Sequence, residues 1–156
     1  MKNTAQEMHV KLQIQPNRWS CLPTAFGMLL DIPVDDIIKV LGHDGSDIIF
    51  DGHPEQRRGF HPQELVDLCV CEYDMMCTII EVFPSLQQPD GGIILLKDGQ
   101  LLKKRYHDYL RRFECVIWGS INGNRHAVAW DRKSIYDPNG TIYGIERFTP
   151  EALFLI

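Results

Sequence analysis

A glutamine stands six residues ahead of a cysteine in Gln15-Pro16-Asn17-Arg18-Trp19-Ser20-Cys21, and the residues that follow read as a helix. A thiol attacks as its thiolate, and the unpaired N–H groups at a helix N-terminus favour that anion. The same end of the helix, helped by a side-chain amide such as that of Gln15, could hold the oxyanion formed when the thiolate adds to a carbonyl. Such chemistry also needs a base and a group to orient it. Both stand far downstream: His126 opens the run His126-Ala127-Val128-Ala129-Trp130-Asp131, and Asp137 closes Ser134-Ile135-Tyr136-Asp137. Cys21, His126, Asp137 and Gln15 are therefore the candidate catalytic residues, as nucleophile, base, orienting acid and oxyanion donor. Trp19 and Ser20, beside the nucleophile, are the candidate substrate-binding residues.

Two local elements must position this set. From Leu22 to Leu30 an apolar stripe of Leu22, Ala25, Phe26, Leu29 and Leu30 predicts a helix. Ser20 is its expected N-cap, and Pro23 is tolerable only in a first turn, so Cys21 falls at the helix start. Downstream, a two-residue turn at Arg132-Lys133 predicts a β-hairpin with Asp131 opposite Ser134, Trp130 opposite Ile135 and Val128 opposite Asp137. His126 and Asp137 then become diagonal neighbours on one face. Gln13 rivals Gln15 as oxyanion donor.

These motifs resemble the papain-like cysteine peptidases, and most of all their compact bacterial C39-like branch. The resemblance rests on the Gln-x5-Cys spacing, the helix start Ser20-Cys21-Leu22-Pro23-Thr24-Ala25, the His126 strand and the Asp137-Pro138 segment. It spans roughly residues 10 to 145, with Leu22 standing where a Gly often follows the cysteine. It implies an α+β fold in which a helical half with the nucleophile helix packs on an antiparallel β-sheet half, the site lying in the groove between. It further implies a peptidase acting through a thioester acyl-enzyme on a protein or peptide substrate, without a cofactor. The same machinery can deamidate glutamine side chains or transfer an acyl group to an amine. A non-catalytic peptide-binding module on this fold is the reading from another class, and the presence of the full Cys, His, Asp and Gln set counts against it.

At 156 residues and 44% hydrophobic content, residues 1–156 read as a single domain with a proper core. A net charge of -5 speaks against a general nucleic-acid binder. The polar start, Met1 to Val10, has no export signal, and no apolar run is long enough for a membrane span, so a cytoplasmic location is expected. Five cysteines leave at least one unpaired, in keeping with a reducing setting. Oligomeric state is left open.

Between the motif blocks, residues 9–15 alternate like a short strand. A second helix follows Pro33, with Val34, Ile37, Ile38 and Leu41 on its stripe and Gly42 as its cap. The stretch 42–60 holds His43, Asp44, Asp47, Asp51 and His53, but Ile49 stands where a calcium loop needs glycine. It reads as a solvated loop, of a kind often used as lid or substrate wall, with no metal. His61-Pro62 starts a third helix, with Leu65, Val66, Leu68 and Cys69 inward. Cys69, Cys71, Cys77 and Cys115 read as buried structural thiols. Residues 75–83 form a strand, and 93–96 a short buried strand or the approach to the next helix. That helix, 100–113, carries the stripe Leu102, Tyr106, Tyr109 and Phe113 and a solvated basic face. Three strands lead to Asp137, residues 141–146 could add a fourth, and the apolar tail 150–156 could be an edge strand.

Overall fold

In the computed structural model, which describes residues 9–156, the first helix, α1 (Cys21–Leu30), lies at the centre of the molecule. Every residue from Leu22 to Leu29 is buried, so the predicted stripe widens into a helix enclosed nearly all round. Its end is tightly packed: a Cβ on Gly27 would meet the Ile32 carbonyl oxygen at 2.6 Å. Helix α2 (Val34–Leu41) stops at Gly42, whose φ of 79° is the left-handed cap expected of glycine. Helix α3 (Pro62–Tyr73) starts at a reciprocal cap, in which His61 accepts from the Gln63 N–H and Glu64 accepts from the His61 N–H. The polar segment 1–8, on which the expected lack of an export signal partly rested, lies outside the described residues.

Strand β1 (Thr78–Glu81) leads to the hairpin β2 (Ser85–Gln87) and β3 (Ile93–Leu95), then to helix α4 (Gly99–Arg112). Strands β4 (Cys115–Ile121), β5 (Asn124–Trp130), β6 (Ile135–Tyr136), β7 (Ile142–Tyr143) and β8 (Thr149–Leu155) follow, with one 3-10 turn at Ile145–Arg147. Six of these form one antiparallel sheet in the order β1-β8-β4-β5-β6-β7. The protein is thus a mixed α and β structure, with four α-helices among the described residues. Strand alternation divides its core in two. On one face Val116, Ala127, Ala129 and Phe154 pack against α1 and α3, and Phe26 meets Phe154 edge-on at 5.2 Å. On the other, Ile117, Val128, Trp130 and Leu153 pack against Tyr106 and Leu110 of α4. Trp130 Nε1 donates to the Leu110 carbonyl at 2.8 Å. No helix among the described residues is long and apolar enough to cross a membrane.

Several expectations need correction. Residues 9–15 form no strand; their backbone bonds go singly, Lys11 N–H to the Met28 carbonyl and Gln15 N–H to the Pro138 carbonyl. The tail is no edge: β8 lies between β1 and β4, with Leu153 and Phe154 buried. The stretch from Ile93 is a strand but not a buried one, Ile93 being 70% exposed. On α4 the inward side is Leu102, Tyr106 and Leu110; Phe113 is exposed because the chain has already left the helix there (φ -126°, ψ 139°). Cys71 is exposed, whereas Cys69, Cys77 and Cys115 are buried, the Cys69 and Cys77 thiols close enough to perturb each other. Positions two apart on a helix face different ways, which separates Cys71 from Cys69.

Candidate active site

Cys21 is the first residue of α1. Ser20 precedes it, but its hydroxyl does not cap the helix. Ser20 Oγ donates instead to the Asn17 carbonyl at 3.0 Å, and Thr24 Oγ1 donates to the Ser20 carbonyl at 2.7 Å. Ser20 is fully buried, so the substrate-facing role expected of it gives way to shaping the turn that delivers Cys21. Trp19 is half-buried and lines the cleft beside Cys21.

The hairpin has the predicted register: Trp130 pairs with Ile135 and Ala129 with Tyr136. Asp131 Oδ1 closes the turn by accepting the Lys133 and Ser134 N–H groups, and Arg132 adopts φ 75°. Ladder pairing stops at Tyr136 because Asp137 starts a second turn. There Gly140, at φ 94°, donates its N–H to the Asp137 carbonyl, and the Asp137 N–H donates to Thr141. Asp137 is fully buried, and its carboxylate has three donors: His126 Nε2 at 2.8 Å and the Asn139 N–H at 2.9 Å on Oδ1, and Tyr143 Oη at 2.5 Å on Oδ2. Cys21 lies close enough to the His126 ring to act on its charge. With Nε2 taken by Asp137, Nδ1 is the nitrogen left for the thiol.

This chain of bonds sets the charges. Burial alone would push the Asp137 carboxyl up, but its donors, His126 foremost and then Tyr143, outweigh burial and hold it below the ordinary carboxylate range. For His126, burial pulls down while Asp137 and then Cys21 push up, and the net result is about 9. The imidazole is therefore protonated at neutral pH. Tyr143 is pushed up by burial and by its bond to Asp137, which keeps its hydroxyl a donor.

The two glutamines part ways. Gln13 Nε2 donates to the Ile32 carbonyl and Gln13 Oε1 accepts from the Val34 N–H, both at 2.8 Å, so Gln13 is committed to holding the start of α2. Gln15 has no such commitment; its Oε1 is buried without a hydrogen-bond partner among the described residues. Its backbone is tied at 2.8 Å to Pro138, the residue after Asp137.

The stretch 42–60 is exposed along most of its length, as expected of a solvated loop, and its two ends are tied together. Gly59 and Arg58 donate backbone bonds to Gly45 and Asp47, the His43 ring stacks on Phe60 at 4.5 Å, and Asn17 Nδ2 donates to the Asp44 carbonyl. Its last residues, Arg57 to Phe60, form one wall of a cleft of about 500 Å³ that opens onto Cys21 and His126. No group of three or more His, Cys, Asp or Glu side chains among the described residues is arranged to hold a metal ion. Sequence reasoning missed Tyr143 and the cleft arginines. Tyr143 had a local signal, because the Asp137-Pro138-Asn139-Gly140 turn sends the chain straight back past Asp137. The arginines come from segments far apart in the chain and had none. Comparison of this chain with family models, curated proteins and solved structures finds no match.

Proposed function

We propose that the protein is a cysteine hydrolase, a papain-like peptidase of the C39-like kind acting on peptide bonds through a thioester acyl-enzyme. The observation that carries this reading is the hydrogen-bonded set Tyr143–Asp137–His126 with Cys21 beside the His126 ring at the start of α1. In this reading Cys21 sulfur adds to the substrate carbonyl, and the Cys21 N–H with the Gln15 amide receives the oxyanion. His126, already protonated, gives its proton to the leaving amine. It then takes one from the water that cleaves the thioester, while Asp137 holds the ring and balances its charge. No cofactor enters, and a reducing, cytoplasmic setting keeps the thiol free.

The test is mass spectrometry of a cell lysate incubated with the wild-type protein or with Cys21→Ala. New peptide termini that appear only with the wild type are expected. Glutamine deamidation or amine cross-links in their place would reassign the same triad to acyl transfer. An unchanged proteome with substrates merely retained on both proteins would favour the binding module.

A further inference from the structure

The chain carries a net charge of -5, yet the surface around His126 is of the opposite sign. The cleft on the Cys21 side is lined by Arg18, Arg57, Arg58 and Arg125, with Trp19 and Trp118 among them. A second hollow of about 540 Å³, on the Asp137 side of His126, is lined by Arg125 and Arg147 with Asn122, Asn124 and Asn139. Five of the nine arginines in the sequence therefore border this one histidine, and none of the lysines among the described residues does. Among the described residues the only carboxylate in either lining is Asp137, which is buried and fully engaged.

The guanidinium groups are held in place with much of their charge unspent. Arg57 donates Nε to the Pro54 carbonyl at 2.6 Å and a second nitrogen to the Ser46 carbonyl at 2.8 Å, and its guanidinium carbon lies 5.0 Å from the Trp19 ring centre. Arg18 lies 5.6 Å from the same ring, and Arg147 is 5.1 Å from Tyr143. None of these three has a carboxylate partner among the described residues. Arg58 and Arg125 do, at 3.0 Å to Glu64 and 3.5 Å to Glu151. A ring of arginines rather than lysines suits planar groups offering two oxygens, because the guanidinium fork matches a carboxylate with two parallel bonds. Stacking on Trp19 and the backbone bonds of Arg57 lower the ordering cost of binding.

We propose that the two hollows flanking His126 select an acidic peptide, with aspartate or glutamate side chains on both sides of the reacting acyl group. The proposal rests on the hydrolase reading only for where the reacting bond lies. Carboxylate is the assigned anion, and phosphate, which offers the same oxygens, is the competitor to separate.

The test uses the full chain with Cys21→Ala, so that binding is read without turnover. Fluorescein-labelled ten-residue peptides carry, on either side of a central glycine, glutamate, glutamine or phosphoserine. Fluorescence anisotropy should show the glutamate peptide binding at least about tenfold tighter than its glutamine twin, with the gap narrowing as salt is raised. Arg18→Gln and Arg147→Gln, which disturb no internal hydrogen bond, should each weaken the glutamate peptide about three- to tenfold. Lys103→Gln on the exposed face of α4 should leave it unchanged. Equal affinity for the glutamate and glutamine peptides, indifference to both arginine changes, or preference for phosphoserine would overturn the proposal. The wild-type protein then separates the two readings. An acidic peptide bound through the arginines but left chemically intact overturns the hydrolase and spares the charge selection. Turnover of the glutamine twin as fast as the glutamate peptide does the reverse.

Discussion

Tyr143 donates its hydroxyl to Asp137 Oδ2, the carboxylate oxygen that His126 does not use. Asp137 is thus held from both sides, and its folded-state pKa is depressed. Stability from such a group is present above the unfolded value of about 3.9 and lost as pH falls through the folded one. Tyr143→Phe removes one donor from a buried carboxylate, which should cost about 1–3 kcal/mol near neutral pH. Because the substitution moves the folded value back toward the unfolded one, the gap to wild type should shrink in acid. Urea denaturation at neutral and at acidic pH reads this directly; a gap that stays constant would mean Tyr143 acts through packing alone.

The ring of His126 titrates in the opposite sense. Its folded value is raised to about 9, so its contribution is full below the unfolded value of about 6.5 and is lost as pH rises through the folded one. Wild type should lose roughly 3 kcal/mol of stability across that window, a slope that His126→Asn should lack. In proton NMR the His126 ring should titrate near 9. Asp137→Asn should lower that midpoint more than Cys21→Ala does, since the bond to Asp137 is the larger of the two upward causes. Equal shifts, or a wild-type midpoint below neutrality, would contradict the charged ring.

Thiol labelling distinguishes chemistry from exposure. Cys21 is half-buried and Cys71 exposed, while Cys69, Cys77 and Cys115 are buried. Iodoacetamide on the folded protein should spare the buried three. It should modify Cys21 faster than the more accessible Cys71, because the His126 ring beside Cys21 assists the attack of its sulfur. His126→Ala should cancel that lead. If Cys71 leads at every pH in the wild type, the Cys21–His126 pair is not activated.

Gln13 and Gln15 should fail in different ways. Gln13→Ala strips two hydrogen bonds from the α1–α2 junction and should lower stability by about 1–3 kcal/mol, with the folded fraction still active. Gln15→Ala should lower turnover about 10²–10³-fold while its melting temperature hardly moves. The opposite pattern would move the oxyanion role to Gln13.

What could be read from the sequence was local. Helix α1 announced itself through Pro23 and its apolar run, and the hairpin register followed from two residues, Arg132 and Lys133, whose turn is closed by Asp131. Long-range order was not visible. Nothing in Thr149 to Leu155 says that this strand has neighbours on both edges, since only Leu153 and Phe154 show interior character. The exposed hairpin misleads for the same reason, because Ile93 and Leu96 are as apolar as core residues yet have no layer above them. Gly119 carries a constraint that only the fold reveals. It pairs with His126 across the sheet, and a Cβ there would come within 2.0 Å of the Thr149 carbonyl oxygen.

The interior place of β8 bears on when Cys21 and His126 come together. A chain leaving the ribosome presents Cys21 and α1 early, whereas His126 arrives 105 positions later. Even then β1 and β4 are not neighbours, because the gap between them is filled only by Thr149–Leu155. Such non-local pairing comes late in folding. Cys21 is therefore made well before the sheet that carries His126 can be complete. The sheet that holds His126 is closed only when β8, the last of its strands in chain order, is in place, so the thiol and the ring meet late.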